Sequence, residues 1–444
     1  MTANAGSPAL DTRAIWAIAL PAMVTNVATA LIGIGDMWIV GRLGDAPTQG
    51  AVDVGARLFA ILFTVMNFLK TGTTGLVAQA GTRSGESEQA ALLLRGMLVG
   101  LAIAALLLLA KPLLLPAALD ALGASGEVRV AANSYAEIRY WSAPAVMVNF
   151  AIIGFLVGRR LMTTVLLVEI GYNILNVALG LWFVLELNWG IAGIGWSSFI
   201  AEYAKLAVLG IIVFQGRSGR YLVEAARSGK LAKIAELRPF LSVNRDLFLR
   251  TLVLVIALAG LTRLSAERGA VALAANGIIY QLFVFTALLL DGFENAAQVL
   301  NGERAGAGDR GGFASYIRAI LIRGLMVAGL VALGFAILAD PILASFAATS
   351  DIRVAAQALA PWLVVIPFLG LGGFVLDGVF VGASWTRALV ATMVGASIVY
   401  AAALWLTWPL GSQGLWLSFC LFLAARMVFQ LALLRSLLAR QFGA

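Results

Sequence analysis

Histidine is absent from this 444-residue chain, and cysteine occurs once, at Cys420. Without histidine there is no imidazole acid or base, no imidazole metal ligand and no Ser-His-Asp triad. A single cysteine excludes an intrachain disulfide framework and any cysteine cluster. Charge is scarce as well: Asp, Glu, Lys and Arg make up 12% of the residues, against about 25% in soluble domains. So little charge cannot coat the roughly three soluble domains that this length would otherwise suggest. What is abundant is apolar surface. Hydrophobic residues reach 61%, with 47 glycines and 11 tryptophans, and the mean hydropathy is +0.94. This is the composition of a polytopic membrane protein.

Apolar runs of about 20 residues are long enough to cross a bilayer as helix. They occur near 14–40, 53–80, 92–116, 133–157, 164–186 and 191–214, then near 246–263, 270–302, 313–339, 355–381, 386–407 and 414–437. The reading is an all-α protein of twelve transmembrane helices. It has an N-terminal six-helix lobe 1–214, a cytoplasmic basic linker 215–245 and a C-terminal six-helix lobe 246–444. Met1 to Thr12 is polar and the first apolar run is too long for a signal h-region, so no cleavable signal is expected. A transmembrane barrel would alternate apolar and polar residues, which this chain does not.

Lys and Arg set the orientation. The central segment holds Arg217, Arg220, Arg227, Lys230, Lys233, Arg238 and Arg245, whereas the opposite loops hold only Arg42, Arg129, Arg263, Arg268 and Arg353. Both termini are therefore expected in the cytoplasm. The net charge of +8 is mainly this asymmetry, with attraction to anionic lipid as a minor addition. Nucleic acid is not an expected partner.

The halves resemble each other. Gly50–Ala56 matches Gly269–Ala275, Ala78-Gln79 matches Ala297-Gln298, Leu94–Met97 matches Ile322–Leu325, and Val157-Gly158 matches Val381-Gly382. Six helices per copy keep both copies in the same orientation, as in transporters whose lobes rock around a central cavity.

Polar residues inside spans are costly unless paired or facing water. Asp36 lies in the first span between glycines, with no base in that helix to neutralise it; it reads as a titrating carboxylate or as one snorkelling to the outer interface. On the fifth span Glu169, Asn173, Asn176 and Gly180 share one face. On the sixth, Ser197 and Ser198 read equally as helix hydrogen-bonders or ligands, and Glu202 with Lys205 as a structural ion pair. The eighth span has the densest stripe: Asp291, Glu294, Asn295 and Gln298, with no nearby base in the helix. Asp377 in the tenth span is a further buried acid. This set reads evenly as helix–helix hydrogen bonding or as a substrate or proton site. Asp53 and Arg57 form an i, i+4 pair, Lys70 is a candidate neutraliser of a buried acid, and Pro21, Pro144 and Pro367 are candidate kinks.

Several stretches carry a resemblance. Asp36 to Asp45 reads Asp-Met-Trp-Ile-Val-Gly-Arg-Leu-Gly-Asp, and Lys70 to Gln79 reads Lys-Thr-Gly-Thr-Thr-Gly-Leu-Val-Ala-Gln. With Trp189–Gly193, Asp291–Phe293, Ala296–Gln298 and Leu376–Ala383, the chain resembles the multidrug and toxic compound extrusion (MATE) family in its DinF-like branch. The resemblance implies a two-lobed antiporter, not an enzyme, in a bacterial inner membrane. It would expel small organic, often cationic, compounds in exchange for protons or sodium ions, with the acid at Asp36 as the central coupling residue. The expected site is Asp36, Asn173, Asn176, Ser198, Asp291, Glu294, Gln298 and Asp377, with no metal, no cofactor beyond an ion gradient, and a monomeric chain in lipid.

Two departures qualify this. The family often places Asn and Asp four apart on the fifth span and Thr on the sixth; here those positions are Asn176, Gly180 and Ser198. One acid with neutral oxygens is a poor sodium site, which favours protons, with sodium as the alternative. The family usually has Glu where Gln298 stands, and here an acid appears one turn earlier, at Glu294. A lipid or lipid-linked-sugar flippase of the same superfamily is the other reading; it would carry several arginines within its spans, which this chain is read as lacking. A membrane transferase would need Asp-rich diphosphate motifs or a His nucleophile, and neither is present.

Overall fold

A computed structural model describes the backbone of residues 11–41, 46–216, 218–228 and 233–443, with the side chains of 31–49 and 234 outside the described set. Fifteen α-helices and no strand occur among these residues: α1 Thr12–Gly41, α2 Ala46–Met66, α3 Phe68–Arg83, α4 Glu86–Ala121, α5 Gly126–Tyr140, α6 Ala143–Gly158, α7 Met162–Leu181, α8 Gly190–Gln215, α9 Ser218–Arg227, α10 Ile234–Ala266, α11 Ala270–Gly306, α12 Arg310–Phe346, α13 Ser350–Gly382, α14 Thr386–Thr407 and α15 Ser412–Phe442. Eleven helical stretches among the described residues are long and apolar enough to cross a membrane. A twelfth forms if α5 and α6, which meet at a 52° bend, are one span. This agrees with the twelve spans expected. The bend has a local cause: Ser142 Oγ turns back to the carbonyl of Arg139 at 2.6 Å, and Pro144, without an N–H, opens α6 rather than kinking a continuous helix. By contrast, α1 and α13 run unbroken through Pro21 and Pro367.

The chain divides into two compact units, Val24–Asn244 and the stretch up to Met23 together with Arg245–Ala444. The boundaries differ from those read in the sequence. The start of α1 packs with the second unit: Trp16 stands edge-on to Phe293 at 5.6 Å, and a methyl group on Gly292 would meet Ala19 and Met23. The segment read as a basic linker is largely helical and packed with the first unit. Leu222 and Ala225 of α9 are buried, and Arg95, in α4, bonds Glu236 at the start of α10 at 3.0 Å. Hydropathy misses these contacts because α9 is short and only one of its faces is apolar.

Each unit has its own aromatic and aliphatic core. In the first, Phe59, Tyr135, Tyr140, Val184 and Ile194 cluster. In the second, Phe283, Tyr400, Trp416, Phe419 and Phe422 do. Against lipid there is little hydrophobic drive between helices, so close backbone approach at small residues supplies the packing. Gly154 and Gly158 of α6 press on the carbonyls of Lys70 and Thr74 of α3; Gly378 and Gly382 of α13 press on those of Glu294 and Gln298 of α11.

These contacts reveal a repeat register. At one constant offset, Gly100 on Met147 corresponds to Gly324 on Leu371, and the left-handed residue Arg160 (φ 62°) to Ser384 (φ 59°). The bond between Gln89 and the Val77 carbonyl (2.9 Å) corresponds to that between Asn301 and the Phe313 carbonyl (3.2 Å). The Val157-Gly158 and Val381-Gly382 match keeps this register. Three of the sequence matches do not: Gly324 corresponds to Gly100 rather than Gly96, Gln298 to Thr74 rather than Gln79, and the match of Gly50–Ala56 to Gly269–Ala275 is displaced by the same five residues. Small residues recurring every four positions look alike when shifted by one turn, which makes register ambiguous without the contacts.

Candidate ion-coupling and substrate sites

In the first unit, α7 and α8 pack side by side. Their polar residues form two levels. At one level, Asn176 and Ser198 are buried, and neither the Asn176 amide nor the Ser198 hydroxyl has a hydrogen-bond partner among the described residues; the half-buried Asn173 leaves its Oδ1 unpaired as well. Ser197 differs from its neighbour, since its hydroxyl bonds the Ile194 carbonyl at 2.9 Å and so serves the helix. Asp36 is in α1, and its side chain lies outside the described residues.

At the other level, Glu169 takes no part in the Asn173 and Asn176 set. It pairs at 3.5 Å with Lys205, which also contacts Glu202 at 3.2 Å. Asn149 of α6 donates to the Glu202 carboxylate at 3.0 Å, and the Lys205 ammonium sits 3.9 Å from the centre of the Tyr172 ring. The i, i+3 pairing of Glu202 and Lys205 read in the sequence is present. It is part of a larger network across three helices. The Asp53–Arg57 pair is also present, at 3.0 Å and solvent-exposed.

The second unit holds the acids of α11 and α13. Asp377 is fully buried. Its Oδ2 receives Arg426 at 2.6 Å and also Arg250, and its Oδ1 receives Gln430. Asn295 folds back on Asp291, donating to its carbonyl at 2.8 Å and its carboxylate at 3.0 Å. Glu294 lies within electrostatic reach of Arg250 and Arg426, and Asp291 within reach of Arg250. Asp291, Glu294 and Asp377 are thus brought into one neighbourhood. Gln298 is buried one turn beyond Glu294, under Gly382.

Here the sequence reading needs correction. The spans do contain arginines: the α11 stripe has no base near it in its own helix, as read, but α10 and α15 supply Arg250 and Arg426. Arg250 and Arg426 fall within the apolar runs 246–263 and 414–437, and a cation inside such a run is itself the signal that a buried partner waits elsewhere.

Comparisons with known proteins identify the family and the fold. The MatE family profile matches twice, over residues 21–182 and 248–406, once in each half of the chain. DNA damage-inducible protein F of Escherichia coli K12 is 32% identical over 420 residues, covering 93% of this chain and 90% of that protein. The multidrug export protein MepA of Staphylococcus aureus is 24% identical over 285 residues, covering 63% and 61%. The fold matches the crystal structure of a MATE protein in its bent conformation with a TM-score of 0.89, at 17% identity over 98% of both chains. The chain therefore belongs to the MatE family, the multidrug and toxic compound extrusion transporters, and is a multi-pass membrane transporter rather than an enzyme.

Proposed function

We propose that the protein is a proton-coupled antiporter of a bacterial inner membrane that exports small amphipathic or cationic organic compounds, with Asp36 as its main coupling carboxylate. The observation that carries this reading is the buried amide of Asn176 on α7 and the buried hydroxyl of Ser198 on the packed helix α8, neither with a partner among the described residues. A buried polar group without a partner costs about 1–3 kcal/mol, and such groups persist where an exchanging ion or ligand visits. Neutral amide and hydroxyl oxygens with a single carboxylate suit a proton better than sodium, which wants several oxygen ligands and charge compensation. Asn173 extends the polar face of α7.

In the second unit, Asp291, Glu294, Gln298 and Asp377 provide further polar groups for substrate or proton. Protonation of Asp36 would remove its charge, repack α1 and weaken the hold on the substrate. The Lys and Arg distribution favours cytoplasmic termini, and the chain is read as a monomer in lipid.

The test is dye efflux from proteoliposomes under a proton or a sodium gradient imposed one at a time. The expected result is efflux driven by the pH gradient, lost in Asp36→Asn while the protein still elutes as a monodisperse species. Unchanged efflux in that variant would overturn the assignment of Asp36, and efflux driven by sodium alone would overturn proton coupling.

A lipid-type flippase remains the second reading because of one observation, the arginines within spans, Arg426 buried and Arg250 partly buried. Both are engaged by Asp377, which spends their charge inside the unit. Transfer of a fluorescent phospholipid across the same proteoliposome bilayers, faster than in protein-free vesicles, would favour it.

A further inference from the structure

The network around Lys205 is more than a salt bridge needs. One ammonium is matched by two buried carboxylates, Glu169 on α7 at 3.5 Å and Glu202 on α8 at 3.2 Å. The face of Tyr172 stands 3.9 Å from the nitrogen, well inside the distance of about 6 Å over which an aromatic ring attracts a cation. Asn149 on α6 holds Glu202 through its Nδ2 at 3.0 Å, and its Oδ1, on a side chain 1% exposed, has no partner among the described residues. Two carboxylates thus contact the single ammonium of Lys205, with the guanidinium of Arg139 within electrostatic reach of Tyr172. An aromatic face with two carboxylates is the chemistry that recognises an alkylated ammonium, including one with no N–H to donate. The carboxylates alone would suffice to pair a lysine; the ring face adds what a substituted ammonium needs.

We propose that Glu169, Glu202 and Tyr172 form an organic-ammonium site that Lys205 fills in this structure as a tethered cation, and that a cationic substrate takes the place of Lys205 when its side chain leaves. Lysine suits this part. Its ammonium is a compact charge on a flexible four-carbon stem, able to withdraw without moving the backbone. The site is built by α6, α7 and α8 within one unit. The inference deepens the export of cationic compounds proposed above by naming the group recognised. Its binding test uses no ion gradient, so it stands or falls separately from proton coupling.

The experiment is chemical rescue of the full-length protein in detergent. Lys205→Ala lowers the thermal midpoint, and n-propylammonium chloride raises it back in a saturable way. Potassium chloride at equal ionic strength does not, and wild type shows no propylammonium-specific shift. Adding Glu202→Gln to Lys205→Ala removes the rescue. A shift no larger than that of potassium chloride, or an equal shift in wild type, overturns the proposal. Should Lys205→Ala not fold, Lys205→Met keeps most of the buried stem and is read by ethidium binding. Its affinity is expected to rise about tenfold over wild type, the equivalent of one cation–π interaction with the ring of Tyr172. Unchanged or weaker ethidium binding in Lys205→Met also overturns it.

Discussion

Glu202 and Arg426 occupy equivalent positions in the two units and carry opposite charge. In the first unit Asn149 donates to Glu202; at the same offset in the second, the guanidinium of Arg426 lies 3.7 Å from where a side chain on Gly373 would begin. The polarity of the nearby α3 and α11 positions is inverted too, with Lys70 in one unit and Glu294 in the other pressed by matching glycines. One backbone plan thus supports an acid-rich network around a lysine in one unit and a carboxylate clasped by two arginines in the other. Lys70 itself makes no ion pair with a described residue.

The clasp makes Asp377 costly to remove. Asp377→Asn strips the buried Arg426 and the partly buried Arg250 of their hydrogen-bonded carboxylate, leaving Glu294 and Asp291 only within electrostatic reach, and breaking a buried pair this way costs up to about 3–5 kcal/mol. Thermal unfolding of the purified protein is expected to show a large fall in midpoint for this variant. Combining it with Arg250→Met should recover part of the loss, because one of the stranded charges is then gone. A double variant no more stable than Asp377→Asn alone would contradict this coupling.

Glycine packing between α11 and α13 gives a second expectation. A methyl group at Gly378 would collide with the Glu294 carbonyl, and relief requires the helices to move apart. Gly378→Ala should cost about 1–3 kcal/mol, as overpacking does. Gly329 in α12 has open space at the same position, so Gly329→Ala should be neutral or stabilising by up to about 1 kcal/mol. Melting curves of the two variants, side by side, check the contrast.

Asn176 should show a conflict between stability and transport. Its amide is buried without a described partner, so Asn176→Leu removes an unpaired polar group and is expected to raise the melting temperature. The same change should abolish efflux driven by a pH gradient. A less stable variant that still transports would remove Asn176 from the site.

On α11 the acid at Glu294 lies one turn before Gln298, on the same helix face. If the negative charge has moved along that face, the exchange Glu294→Gln with Gln298→Glu should retain a substantial fraction of efflux. Abolished transport in the exchanged protein, with folding intact, would argue that Arg250 and Arg426 need the acid at position 294.

Hydropathy and composition by themselves determined the helical class, the number of spans and the absence of histidine and cysteine chemistry, because a bilayer imposes one length and one polarity on every crossing. The residue types at Asp36, Asn176, Glu294 and Asp377 were also visible, since a polar group in an apolar run stands out. Partners were not. That Asp377 binds Arg250 and Arg426, or that Glu169 joins Lys205 rather than Asn173, depends on which faces of separate helices meet. A period of 3.6 residues marks a face without saying what it faces. The repeat register was blurred for the same reason, because a four-residue spacing of small residues repeats itself along the helix. Only tertiary packing, through glycines that admit a neighbouring backbone at one register and clash at the next, decided how the two halves correspond and where their charges invert.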